Sequence, residues 1–260
     1  MKKTIVSFVL LLTAMSAAAQ KSDWTFYAGW NHAVGDFAAA DVDNNDWAFV
    51  SASSTKGGAG MGFDIGVSYR KPISNNGKVG LVFSVDLFYN APSTHIRNKS
   101  LMAIAEASNN FDKATVTNPG FFSIPVLGGL HYEAPINERY SFYMEAQAGL
   151  SIRMVTNRGA ELLGATEPLV AGDQLFYDYS YTDKFFTSPS LAFHFAFGFI
   201  ERSHWMLDFG YWNMTNLALE GYEDYKFRTT PNGLLYEGST AFTVGRIIPQ
   251  MVSLRIGYRL

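Results

Sequence analysis

Seven ionisable side chains stand in apolar company: Asp64, Asp86, Glu145, Arg153, His194, Asp208 and Arg255 each lie between two apolar neighbours. Acids, an imidazole and guanidinium groups placed this way could relay a proton or pass a cation, because charge inside an apolar span often marks function. The same set could close on itself, with the carboxylates paired to Arg153, Arg255 and buried tyrosines. Charges removed from water must be paired or hydrogen-bonded to be tolerated. In a narrow interior the self-closed network is the favoured reading, and a wide pore is not expected.

Other chemistry is poorly provided for. The chain has no cysteine, which removes thiol catalysis, disulfides and a cysteine-linked lipid anchor. A serine hydrolase needs a serine, a histidine to deprotonate it and an acid to orient the histidine. The five histidines are residues 32, 95, 131, 194 and 204, and the nearest candidate pairing is Ser93-Thr94-His95, which reads as a plain turn after Pro92. The segment DVDNND (Asp41–Asp46) has the acid spacing of a calcium loop. However, Asp46 stands where that loop needs glycine, and Ala52 where it needs glutamate. No catalytic residue, metal ligand or cofactor is expected. A net charge of −3 gives no reason to expect nucleic-acid binding.

The elements that carry the charged groups are legible from periodicity. In SLAFHFAFGFI, phenylalanine occupies 193, 195, 197 and 199. A helix would spread those rings around its circumference, whereas a strand sends them all to one face. The same alternation runs through Trp24–Trp30, Met61–Tyr69, Val79–Tyr89, Phe122–Tyr132, Tyr140–Met154, Trp205–Tyr211 and Ile248–Leu260, which makes eight strands. The opposite parity holds Gly, Ser, Asp, Glu, His and Arg, including all seven groups above. Connections 72–78, 134–138 and 201–204 are short and turn-like, and the other four are long. Short turns at one rim and long loops at the other predict an all-β, antiparallel, up-and-down transmembrane barrel with short periplasmic turns and four long extracellular loops.

Which face is inside follows from room. An eight-stranded barrel has an interior just wide enough for its side chains. The phenylalanine face is therefore expected outside against lipid, and a Gly/Ser/Ala/Asp mixture inside. Tyr69, Tyr132, Tyr140, Trp205 and Tyr258 share the apolar parity near the short-turn end and form a candidate aromatic girdle. In the long loops, Tyr177, Tyr179 and Tyr181 alternate as if the sixth strand continued above the membrane. With Tyr222 and Tyr225 they make a candidate recognition surface for a protein partner. At the N-terminus, Lys2-Lys3, the apolar run Ile5–Leu12 and Ala17-Ala18-Ala19 read as a secretory signal. Cleavage is expected between Ala19 and Gln20, leaving 20–260 as one β domain.

This pattern resembles the small eight-stranded outer-membrane barrels of the OmpA, OmpX and OmpW type, also described as the outer membrane protein β-barrel domain. The ending SLRIGYRL resembles the C-terminal signal read by the barrel-assembly machinery, with Leu260 in place of the usual phenylalanine. The resemblance implies residence in the outer membrane, with its lipid and lipopolysaccharide and the assembly machinery as partners. It also implies a non-catalytic structural or surface-interaction role. The alternatives it carries are an accessory barrel of a secretion or transport assembly and a lipid A-modifying enzyme.

Overall fold

The computed structural model describes residues 23–39, 58–94, 113–117, 120–156, 158–163, 175–183, 189–202, 204–215, 217–229 and 234–260. For 113–117, 155, 158–163, 175–183, 217–229 and 234–247 it describes backbone only. The signal segment with Ala19 and Gln20, the acidic stretch 41–46 and His95 lie outside the described residues. So do the side chains of Tyr177, Tyr179, Tyr181, Tyr222 and Tyr225.

Eight strands close into an antiparallel barrel: β1 (Asp23–Ala33), β2 (Ala59–Pro72), β3 (Val79–Pro92), β5 (Phe121–Pro135), β6 (Tyr140–Val155), β9 (Ser190–Glu201), β10 (Trp205–Met214) and β13 (Gln250–Arg259). They pair in sequence order, and β1 closes on β13 through Phe26↔Tyr258 and Ala28↔Ile256. Closure leaves no unpaired edge along the wall, which is what a sheet in hydrocarbon requires. The first turn needs its glycine: Gly77 has φ +71° and Gly77 N–H donates to the Ser74 carbonyl at 2.9 Å.

The long connections are not plain loops. They hold β4 (Lys113–Thr117), β7 (Arg158–Leu163), β8 (Leu175–Asp183), β11 (Leu217–Thr229) and β12 (Leu234–Ile247), paired in the order β12-β11-β8-β7-β4. Each follows or precedes the barrel strand it prolongs: β10 ends at Met214 and β11 starts at Leu217. Bonds at the junctions carry the ladder across, Thr156 N–H to the Gly120 carbonyl (2.9 Å) and Met214 N–H to the Pro249 carbonyl (2.9 Å). The wall thus continues past the rim above β5, β6, β9, β10 and β13. Among the described residues β1, β2 and β3 have no such continuation. The 177–181 segment is a strand as expected: it lies in β8 of this second sheet, which precedes and prolongs β9, with Tyr179 opposite Tyr225. Its partner β11 lies beyond both β9 and β10 in the chain, a pairing that local periodicity does not reveal.

The face assignment holds along every barrel strand. Phe195 is 55% exposed on the outside while its neighbour Ala196 is 5% exposed in the lumen. Tyr132, Tyr140, Trp205 and Tyr258 are exposed near the short-turn rim, with Trp205 packed edge-on to Tyr258 at 5.3 Å. Tyr69 departs from the expected exposed girdle. It is buried, because Trp24 covers it at 5.0 Å between ring centroids. A second aromatic group appears at the other end of β5, where Phe63, Tyr89 and Phe122 lean on one another at 5.4 and 4.8 Å. From Tyr132 to Phe122 the strand covers about 33 Å, or about 25 Å of depth at a tilt near 40°. That is the height of the apolar band such barrels present to lipid.

Candidate functional site

The lumen is built in layers, each held by inward-facing residues of several strands. At the short-turn end, Arg259 donates to Glu133 (2.9 Å) and to Asp23. The next layer centres on Glu145. Its Oε1 accepts from Arg70 Nε at 2.8 Å and lies 3.0 Å from His131 Nδ1, and its Oε2 accepts from Gln147 Nε2 at 2.8 Å. Gln147 is held in turn by the Ser84 hydroxyl at 2.8 Å, and Arg70 also donates to the Tyr27 hydroxyl.

Arg255 organises the layer above. Its Nε donates to Asp208 at 2.7 Å and its Nη1 to Asp86 at 2.9 Å, with Asp64 3.9 Å from Nε. Tyr143 completes Asp208 by donating to Oδ2 at 2.6 Å. The guanidinium also lies 4.5 Å from the Tyr27 ring and 5.4 Å from that of Trp212, so its faces meet π-electrons while its edge meets carboxylates. Above it, His194 stacks on Trp212 at 3.7 Å and 14°, and Trp212 Nε1 donates to the Ser253 hydroxyl at 3.1 Å.

An apolar plug closes the long-loop end. Phe88, Trp212, Met214, Met251 and Phe121 are buried there, joined by Phe37 from the short helix α1 (Gly35–Ala38), which packs edge-on to Phe121 at 5.3 Å. This departs from the small, polar lumen expected from steric room. Lower in the lumen the large rings of Tyr143 and Tyr27 fit because the residue paired with each on the neighbouring strand is glycine: a Cβ on Gly198 would stand 2.8 Å from the Tyr143 ring, and one on Gly257 2.8 Å from the Tyr27 ring.

Of the seven groups proposed from sequence, the structure joins Asp64, Asp86, Asp208 and Arg255 in one cluster and puts Glu145 in the layer below. His194 packs against Trp212 next to that cluster. Arg153 sits higher and donates to the Thr215 carbonyl at 2.7 Å. The residue that local reading missed is Arg70. It has the correct parity but stands near the end of β2, outside the seven, and only the closed barrel brings it onto Glu145 from β6. The Asp64 oxygens, Asp86 Oδ2 and both His194 ring nitrogens find no hydrogen-bond partner among the described protein groups. A proton or water is what such buried atoms accept. The remaining charged groups of the layers are bound to one another.

No family model matches the chain, and no curated protein sequence does. Solved structures do match. A major outer membrane protein from Thermus thermophilus is 9% identical with a TM-score of 0.43, covering 93% of this chain and 100% of its own. The outer membrane protein OprG from Pseudomonas aeruginosa is 12% identical with a TM-score of 0.39, covering 92% and 96%. Neisserial surface protein A is 14% identical with a TM-score of 0.37, covering 91% and 96%. The fold itself is read from this chain's own strand pairing and belt. Rings such as Phe195, Phe197 and Trp205, exposed by half or more on the outer wall, are stable in hydrocarbon and not in water. A closed eight-stranded antiparallel barrel, its charges paired inside and its aromatics turned outward, gives this chain the architecture of a small membrane-spanning β-barrel.

Proposed function

We propose that the protein is a non-catalytic envelope barrel. Its short turns face the periplasm, and its second sheet stands outside the cell as a surface for a protein partner. The observation that carries this reading is the five-stranded sheet prolonging the wall above a lumen closed by side chains. Structure is invested beyond the barrel wall, and among the described residues buried side chains fill the lumen below it. The last strand, which bears SLRIGYRL, closes the barrel between β1 and β10, in keeping with assembly directed from that end.

Protease applied to intact cells is expected to cut the long connections, such as 156–183, and to spare the turn 72–78. Cutting in that turn would invert the topology. Mild surface crosslinking followed by pull-down is expected to recover a partner bound to the long-loop side. Recovery of subunits of an envelope transport assembly would make the barrel an accessory of that assembly. In a planar bilayer the barrel is expected to give no steady, large conductance, because side chains fill its lumen. Stable porin-sized openings would overturn the closed-lumen part of the reading.

A further inference from the structure

The outer wall carries a groove that crosses the strands. Register aligns two outward rows: Lys71, Leu81, Leu130, Ala146, Phe195 and Tyr211 in one, and Val79, Tyr132, Met144 and Phe197 in the other. Between them runs a trough of about 750 Å³, lined from Val79 to Val252. Ala146 deepens it, standing between Leu130 and Phe195 as the one small side chain in its row. The trough starts at the short-turn rim and climbs, because Val79 lies at the start of β3 and Tyr211 near the end of β10.

Its length and its lower end point to an occupant. Five interstrand steps of about 4.8 Å, from Val79 on β3 to Val252 on β13, give about 24 Å of groove. An acyl chain descending half of a bilayer core of about 30 Å at about 45° needs about 21 Å. One strand beyond the foot, on β2 and paired with Leu81 of β3, stands Lys71, exposed and on the outward parity, and among the described residues it makes no ion pair. The other outward charge of the barrel strands, Glu201, is bound to Arg139. Tyr132 is exposed beside the same end, where a ring with a polar tip meets headgroups.

We propose that this groove is a binding site for an anionic glycerophospholipid, with one acyl chain lying in the trough and the phosphate held at Lys71. The reading of the short-turn end as periplasmic places the site in the leaflet made of glycerophospholipid. The binding itself does not depend on orientation, so its test and the protease test fail separately.

Native mass spectrometry of the purified, folded barrel with phosphatidylglycerol or phosphatidylcholine tests the site. One lipid adduct per barrel is expected to survive detergent removal, with phosphatidylglycerol favoured about fivefold, the worth of one lysine near a phosphate. Lys71→Gln is expected to abolish the preference and leave the adduct. Ala146→Trp is expected to fill the trough and remove the adduct for both lipids, and Ala146→Leu to weaken it. Val85→Phe, outward but away from the trough, should change neither. The heat-modifiable gel shift confirms that each variant is folded. Equal adducts with both lipids in the unaltered protein would overturn the charge assignment. Ala146→Trp retaining full binding in a folded barrel would overturn the site.

Discussion

The two faces of one strand live under different rules. On β9, Phe193, Phe195, Phe197 and Phe199 lean into a fluid that reshapes around them. Ala192, His194, Ala196 and Gly198 face a lumen in which each atom has a fixed neighbour. The outer face asks for apolarity and tolerates any shape. The inner face tolerates polarity but asks for shape and for charge balance. Gly198 shows the demand for shape, since a Cβ there would stand 2.0 Å from the Leu207 carbonyl oxygen, and Arg255 shows the demand for charge balance.

Substitutions that exchange these rules should separate the faces. The largest loss is expected from Arg255→Leu, which strands Asp86, Asp208 and Asp64 without their shared cation. Breaking a buried pair from one side costs about 3–5 kcal/mol. Urea unfolding in detergent should show it as a large fall in midpoint, and an unchanged midpoint would mean that the acids are neutral without Arg255. Phe195→Arg comes next, at about 2–4 kcal/mol, because it puts a charge into hydrocarbon near mid-depth. Ala196→Leu follows at about 1–3 kcal/mol, since the lumen must displace packed neighbours to admit it. Phe195→Leu closes the series at about 0.5 kcal/mol or less, because lipid tails are as apolar as leucine and fill the space. A strong effect of Phe195→Leu together with a silent Ala196→Leu would exchange the two faces and make this a water-soluble barrel.

Much of this was legible along the chain because a strand's side-chain period is two. Parity alone put Asp64, Glu145 and Asp208 on one face and Phe195 and Trp205 on the other, and the structure keeps every one of those assignments. Parity says nothing of depth or of partners across the barrel. Tyr69 has the lipid-facing parity and is nonetheless covered, because Trp24 of the neighbouring strand folds over it. Arg70 has the inward parity, but nothing along the chain pairs it with Glu145 of β6. Phe88 and Trp212 exceed the small residues expected of the lumen, and they fit because Phe37 and Met251 close around them while glycines elsewhere make room.

By itself, then, the sequence determined the strands, their faces, the short turns and the eight-fold count, since each is written in residues a few positions apart. Only the tertiary structure decided which cation meets which acid, that the long connections pair into a second sheet, and that two register rows leave a groove on the outer wall. Each of these joins residues far apart in the chain. Their meeting is set by barrel closure and strand register, for which no local spacing carries a signal.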